Sequence, residues 1–208
     1  MLQDLIRRYP ALKACEKEIG LAAEAWTRCY ERGGKLLVCG NGGSCADGDH
    51  IVGELMKGFL RKRPLSSSQR EAMKTRCPSL EEAFLDKLQG GLPAVSLSGF
   101  PALNSAFSND VDPSLVYAQA VMGLGRPEDI LVGISTSGNS KNVAAAVQVA
   151  KGLGLTVLGL TGQNGGRLKA LADLCICVPQ TETFLIQELH LPVYHYLCAE
   201  VEAHFFRS

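Results

Sequence analysis

The feature that most constrains the fold is a series of short, uninterrupted apolar runs, each followed by glycine, serine or proline. The runs are KLLVCG (35–40), AVSLSG (94–99), DILVGIST (129–136), TVLGLTG (156–162) and CICVP (175–179). Strands with one solvated face alternate apolar and polar residues, whereas strands covered on both faces are continuously apolar. The runs therefore predict a parallel sheet with helices on both faces.

Helical patterns separate several of these runs, most clearly NSKNVAAAVQVAKGLG at 139–154. Strand, helix and strand at this spacing form the βαβ unit of parallel sheets. The first 33 residues predict one or two amphipathic helices interrupted near Pro10. The C-terminal segment from Thr181 predicts a long helix, which we expect Pro192 to kink because proline has no backbone N–H to donate.

At 208 residues, the chain has the length of a single domain with its own core. Residues 58–92 do not follow the alternation of strand and helix patterns. We interpret them as a partly mobile surface insertion with one short capped helix near its end. Because 61–89 is basic and begins beyond the helix that carries Glu54, it is predicted to be a lid or interface arm over the site. A solvated loop without a role is the alternative. Its basic residues include Arg61, Lys62, Arg63, Arg70, Lys74 and Arg76.

Composition argues against several classes of protein. The formal net charge is zero, so global charge gives no attraction to nucleic acid or to an anionic membrane. The chain contains no run of eighteen apolar residues, so no transmembrane helix is predicted. The charged N-terminus does not look like a secretory signal. The eight cysteines include no C-x-x-C pair and mostly lie in apolar patterns, which predicts reduced thiols in a cytoplasmic protein.

Two predicted strands end in turns suited to an anion. CGNGGS follows KLLV, and STSGNS follows ILVGI. Ligands of open parallel sheets bind beyond the carboxyl ends of the strands, where helix N-termini offer unpaired amides. Neither turn has the G-K-[ST] of a nucleotide-binding loop or the spacing of a dinucleotide fingerprint, which favours a small phosphorylated ligand. Ordinary turns and helix caps are the alternative. The hydroxyl donors are Ser44, Ser135, Ser137 and Ser140.

Two polar clusters lie on predicted helices near these turns. His50 and Glu54 are four residues apart and share a face, where they could bind a divalent metal or transfer a proton. On the C-terminal helix, the seven-residue spacing aligns Glu188 with His195, whereas Gln187 is about 80° out of line with His195. Spacing alone favours Glu188. A surface ion pair and buried or interface histidines, including His190, are the alternatives.

Together, the motifs CGNGGSCADGDHIVGEL, SND, GISTSGNSKNV, LTG and IQELHLPVYH resemble those of the sugar isomerase (SIS) domain family, in the same order. The resemblance is nearest to its phosphoheptose isomerase branch and covers most of the chain outside 58–92. It implies one SIS domain over 1–208 with N-terminal helices at 1–33. It also implies a three-layer α/β/α sandwich with a five-stranded parallel sheet, and a homotetramer with sites shared between subunits.

The resemblance further implies conversion of sedoheptulose 7-phosphate to D-glycero-D-manno-heptose 7-phosphate, a step toward bacterial envelope polysaccharides. Glu54 is the expected base and His195 the expected acid. The implied zinc ligands are His50, Glu54, Gln187 and His195, so the resemblance prefers Gln187 to Glu188. The implied substrate-binding residues, which also include Glu54 and Gln187, are Asn41, Gly42, Gly43, Ser44, Asn109, Asp110, Ser135, Thr136, Ser137 and Ser140.

Two other functions remain open at the level of sequence. One is a non-catalytic SIS adaptor that binds a replication initiator, and the other is a phosphosugar-sensing protein. The complete set of His50, Glu54, Gln187 and His195 favours the enzyme, because an adaptor can dispense with it. Leu185, where the family usually has arginine, and the insertion lie where sugar preference could change.

Overall fold

A five-stranded, all-parallel sheet forms the centre of the computed structural model, which describes residues 1–206. The strand order is β2-β1-β3-β4-β5, which is the flavodoxin-like order. The predicted fold class is confirmed. The strands are β1 (Leu36–Gly40), β2 (Ala94–Ser96), β3 (Ile130–Ile134), β4 (Thr156–Thr161) and β5 (Leu174–Cys177).

Helices cover both faces of the sheet and create two apolar cores. Trp26, Ile51 and Tyr194 belong to the core on one face, and Tyr117 and Val147 belong to the core on the other. This arrangement gives three layers. The helices are α1 (Leu2–Arg8), α2 (Glu16–Glu31), α3 (Gly43–Met56), α4 (Ser67–Arg76), α5 (Glu82–Leu85), α6 (Pro101–Asp110), α7 (Val116–Leu124), α8 (Lys141–Gly152), α9 (Gly166–Leu171) and α10 (Thr183–Phe205).

The two prolines affect the helices differently. Helix α1 ends at Arg8, and Pro10 begins a 3-10 turn over Pro10–Cys15 that leads into α2. In contrast, α10 spans 23 residues and continues through Pro192, which is buried. The sequence patterns predicted no helix within 101–124, where the structure has α6 and α7.

The segment 58–92 differs most from its prediction. Helix α4 occupies part of the stretch expected to be an irregular loop, because Ser66 and Gln69 form a reciprocal capping box at its start. Helix α5 has only four residues and is shorter than expected. Arg63 is buried rather than part of an exposed basic surface, and Arg70 is paired with acidic residues of the same segment.

Within residues 1–206, no helix combines the length and apolar character needed to cross a membrane.

Candidate active site

The two predicted anion turns lie side by side at the carboxyl edge of the sheet. They follow β1 and β3, which pair with each other at the point where the strand order reverses. A crevice opens there in doubly wound sheets. Asn41 and Asn142 join the turns by two reciprocal amide hydrogen bonds of 2.9 Å. Tyr117 supports the junction, since its hydroxyl donates to the Gly40 carbonyl at 2.6 Å.

Sequence reasoning missed Asn142 and Tyr117. Asn142 lies within the GISTSGNSKNV motif, so the motif contained its signal, but an asparagine in the first turn of a helix has no distinctive spacing. Tyr117 is almost fully buried on α7. Its role depends on a contact across 77 positions with Gly40, which no local pattern reveals.

The serine turn at 135–140 is ordered by its own hydroxyl and amide groups. The Ser135 and Ser140 hydroxyls are 3.0 Å apart, and the Asn139 backbone N–H donates to the Ser137 hydroxyl at 3.2 Å. Ser135 is buried, whereas Ser137 is exposed and Ser140 is partly exposed. The Thr136 carbonyl accepts from the Gly162 N–H at 3.1 Å. The exposed and partly exposed hydroxyls are thus available at the crevice.

A neighbouring loop braces the serine turn from behind. Gly138 has a positive φ of 67°, and a Cβ there would lie 2.1 Å from the Gly165 carbonyl oxygen. The Asn139 side chain accepts a hydrogen bond from the Arg167 N–H at 3.1 Å. Only glycine permits this backbone conformation and this close approach together. The brace therefore fixes the turn before any ligand binds.

At the other turn, glycine makes room for a side chain of α10. A Cβ on Gly43 would lie 2.3 Å from Gln187 Nε2. Gly42 has a positive φ of 55°, and Ser44 is buried in the first turn of α3. Glu188 is exposed. The structure therefore directs Gln187, and not the Glu188 favoured by spacing alone, toward the start of α3.

Helices α3 and α10 bring three chemically active side chains together. His50 Nε2 lies 3.2 Å from Glu54 Oε1 and 3.5 Å from His195 Nε2. Glu54 is mostly buried, with 14% of its side chain exposed, while 42% of the His50 side chain is exposed. A carboxylate and two imidazoles thus meet at a surface that a small molecule can reach.

Tyr194 and Asp47 orient His50 from behind. The Tyr194 hydroxyl lies 3.0 Å from His50 Nδ1 and donates to Asp47 Oδ1 at 3.2 Å. With its proton directed to the carboxylate, the tyrosine hydroxyl can accept from His50 Nδ1–H in the tautomer protonated at that nitrogen. This tautomer leaves the lone pair of Nε2 facing Glu54 and His195, as in metal ligation or proton acceptance.

Burial shifts the pKa values of two groups in and behind this cluster. Burial lowers the pKa of His195, and the neighbouring His50 lowers it further against the opposing effect of Glu54. Burial raises the pKa of Asp47, partly offset by the Tyr194 hydrogen bond. A neutral imidazole at His195 can donate an N–H to a substrate oxygen or accept a proton.

The donor types of His50, Glu54 and His195 are ones that zinc prefers. Tetrahedral bonds of about 2.0–2.1 Å place ligand atoms about 3.3 Å apart, which is near the separations of His50 from Glu54 and His195. Within residues 1–206, no three histidine, cysteine or acidic side chains already surround one point as a bound ion requires. The expected fourth donor is the amide of Gln187, at the other end of the α3–α10 contact.

Asn109 and Asp110 are placed differently from the rest. Both are exposed at the C-terminal end of α6, and Asn109 donates a hydrogen bond to Asp110 at 2.8 Å. Their side chains are directed to each other rather than to the α3–α10 cluster. His190 is fully buried on α10 and therefore does not belong to the accessible surface of the site.

Comparison with known proteins gives the family. A model of the SIS domain matches residues 103–197. A phosphoheptose isomerase of Crocosphaera subtropica is 41% identical over 93% of this chain and 84% of its own length, and one of Helicobacter pylori strain P12 is 35% identical over 99% and 98%. The solved phosphoheptose isomerase of Neisseria gonorrhoeae superposes with a TM-score of 0.76 at 33% identity, covering 97% of this chain and 94% of that one. The chain belongs to the phosphoheptose isomerase family of SIS-domain proteins.

Proposed function

We propose that this protein is a phosphosugar isomerase that interconverts sedoheptulose 7-phosphate and D-glycero-D-manno-heptose 7-phosphate. The observation that carries the proposal is the meeting of Glu54, His50 and His195 between α3 and α10. Helix α3 begins at one of the two turns of the same crevice. Helix α3 thus begins at a candidate anion-binding turn and carries acid–base groups near its end, which suits a substrate with a reactive carbonyl and a phosphate.

The reaction moves one proton between adjacent carbons through an enediol. Glu54 takes the proton from one carbon and returns it to the next, while His195 donates to the oxygen that gains a hydrogen and accepts from the oxygen that loses one. The low pKa of His195 suits this exchange, because its neutral ring both donates and accepts. The serine turn holds the phosphate far from the reacting carbons and contributes positioning.

The substrate would be held from both turns. Asn41, Gly42, Gly43 and Ser44 would contact the sugar, and the serine turn would contact the phosphate through Ser135, Thr136, Ser137 and Ser140. Asn109 and Asp110 would have to turn from each other to reach the sugar. Gln187 would contact the sugar near the start of α3.

We also propose a zinc ion held by His50, Glu54, Gln187 and His195. Because Glu54 cannot ligate the ion and accept a proton at the same instant, it would either shift away from the ion during turnover or the ion would mainly organise the site. When bound, the ion would polarise the oxygen at the carbon that loses or gains the proton. The Asp47–Tyr194 pair supports this proposal because it leaves His50 Nε2 free to ligate. Zinc content is measurable directly, by metal analysis of the purified protein and of a His50→Ala variant.

We also propose that the protein is a homotetramer whose subunits share active sites. Large apolar side chains are exposed on the two helices that carry the cluster: Phe184 is 60% and Leu191 is 40% exposed on α10, and Met56 is 55% exposed at the end of α3. Exposed apolar side chains on such helices are expected where a second subunit packs against them. All eight cysteines are free thiols, and we propose a cytoplasmic location, where thiols are kept reduced.

The function is tested by incubating the purified protein with sedoheptulose 7-phosphate and with shorter ketose phosphates, with and without added zinc. The expected result is a new aldose 7-phosphate signal in the NMR spectrum, with slower turnover of the shorter sugars. If no sugar phosphate is converted under any of these conditions, the isomerase proposal is wrong. The adaptor that binds a replication initiator would then be the function to pursue.

A further inference from the structure

A buried ion pair lies next to the proposed catalytic cluster, and the proposed mechanism does not use it. Arg63 Nε donates to Glu202 Oε1 at 2.8 Å, and the two side chains are 0% and 1% exposed. Arg63 comes from the start of the inserted segment and Glu202 from the last turns of α10. Because charges cost free energy to bury, a pair so fully withdrawn from water needs a structural explanation.

Glu202 fixes the start of the inserted segment. Its carboxylate accepts the backbone N–H groups of Phe59, Leu60 and Arg61 at 2.8, 2.8 and 3.1 Å. Burial alone would raise the pKa of Glu202, but these donors and Arg63 hold that pKa below its usual value. The carboxylate is therefore ionised and organises three consecutive residues.

Through Phe59, this anchoring reaches the proposed acid. The Phe59 ring packs against the His195 ring with centroids 5.4 Å apart. The backbone of Phe59 is fixed by Glu202, which lies two helical turns beyond His195 on α10. Glu202 thus supports the position of His195 from outside the cluster.

Arg63 fixes the proposed base from the other side. Its guanidinium donates to the Leu55 carbonyl at 2.6 Å and to the Glu54 carbonyl at 3.1 Å. These are among the last carbonyls of α3, which have no partner within the helix. The guanidinium therefore caps α3 at the residue that carries the catalytic carboxylate. Its central carbon lies 4.6 Å from the centroid of the Phe206 ring, which covers it.

We propose that Arg63 and Glu202 form a clasp that positions Glu54 and His195 relative to each other. The proposal rests on the proposed isomerase function for the meaning of this geometry. Neither clasp residue touches substrate, so both are positioning residues. An apolar pair of similar volume could fill the same space, but it could not cap α3 or hold the backbone at 59–61.

The decisive variant is the double substitution Arg63→Met and Glu202→Met, which removes both charges and keeps the volume. The matched control is Asp129→Asn, which breaks the Lys35–Asp129 ion pair, located at the amino end of β3 and away from the crevice. We expect the double variant to be folded, as shown by a cooperative unfolding transition. Its kcat should fall by about 10²-fold, the cost of a small misplacement in an active site, and its KM should change little. We expect the control to keep the kcat of the wild-type protein.

A double variant that folds and keeps kcat within about twofold of the control would overturn the clasp. If the double variant fails to fold, Arg63→Lys is the second variant to test. Lysine keeps the positive charge but lacks the branched guanidinium that donates to both carbonyls. Its readout is the imidazole NMR signal of His195, one of four histidines in the chain. The clasp predicts that this signal shifts in Arg63→Lys and stays in place in Asp129→Asn, and an unshifted signal refutes it. This readout needs no turnover, so it separates failure of the clasp from failure of the isomerase function.

Discussion

The phosphate end and the reacting end of the proposed site are built in different ways. In the serine turn at 135–140, hydrogen bonds join residues two to five positions apart, and the brace from Arg167 comes from 28 positions away. At the reacting end, the contacts of His50 with Tyr194 and of Phe59 with Glu202 join residues 144 and 143 positions apart. One end is a local structure, and the other exists only where α3 and α10 pack together.

Because of this difference, we expect phosphate binding and proton transfer to depend on different parts of the molecule. A turn that is fixed locally can hold phosphate whatever the details of helix packing. The acid–base cluster depends on the distance between two helices, so changes in distant side chains can reach it. Variants of the turn should therefore affect binding, and variants of the helix pair should affect turnover.

The largest expected effect is on turnover, from Glu54→Gln. The amide keeps the shape of the carboxylate but cannot take a proton, so kcat should fall by about 10³–10⁴-fold, the upper range for a lost acid–base group. His195→Ala should behave similarly. The matched control is Glu188→Gln, an exposed carboxylate on α10, which should keep full activity. Near-normal turnover by Glu54→Gln would remove the mechanism while leaving the fold intact.

A smaller effect, on binding, is expected from Ser137→Ala combined with Ser140→Ala. Each hydroxyl that donates to a phosphate dianion contributes about 1.5–3 kcal/mol, so loss of the pair should weaken sugar phosphate binding by about 10²–10⁴-fold. Calorimetric titration measures this directly. The unphosphorylated sugar is the control ligand, and its weak binding should stay the same. An equal loss for both ligands would mean that the turn holds something other than phosphate.

His190 lies on α10 between Gln187 and His195, and it makes the free energy of unfolding depend on pH. It is buried on α10, and burial lowers its pKa to about 4 from 6.5. Between these values the unfolded chain binds more protons than the folded one, so the free energy of unfolding falls as pH falls from 6.5 to 4. The slope is about 1.4 kcal/mol per pH unit, or about 3 kcal/mol in all.

The measurement is urea unfolding of the wild-type protein and of His190→Phe across this pH range. The variant should lack this component of the slope. His204→Gln is the control, because His204 is exposed, and it should keep most of the slope. If both variants show the wild-type slope, another group is responsible.

The smallest effect is expected from the outer part of the inserted segment. Helix α4 has no buried residue, and the bridge between Pro64 and Gln89 closes the segment at its base. Replacing 67–79 with a short glycine–serine link, which keeps the buried Leu85 of α5, should therefore leave kcat within about twofold. Replacing 61–89, which removes Arg63, should reduce kcat strongly. An increase in KM with unchanged kcat in the shorter deletion would be the signature of the lid expected from sequence.

The fold could be predicted from sequence because its signals are local. Continuously apolar strands followed by glycine or serine gave the parallel sheet, since burial on both faces leaves no other pattern. The signal was weaker between 101 and 124, where α6 and α7 are short and mixed in composition. Helix α4 was missed because its sequence is mostly polar, although Ser66 and Gln69 form its capping box.

The site could be predicted only in part, because helix spacing describes one helix at a time. Spacing placed Glu188 in line with His195, but the direction of Gln187 is set by Gly43 on another element. Arg63 shows the same limit. In the sequence it is one basic residue among several, and its burial depends on Glu202, a residue 139 positions away.

The most direct test of this account is the partition of lost activity between kcat and KM, measured by steady-state isomerisation of sedoheptulose 7-phosphate. Glu54→Gln and the Ser137→Ala, Ser140→Ala double variant are compared over the same substrate range. The account predicts that Glu54→Gln loses kcat with KM near the wild-type value, and that the serine variant raises KM with kcat within a few-fold. A serine variant that loses mainly kcat, beside a Glu54→Gln variant that loses mainly affinity, would contradict the division between anchoring and chemistry.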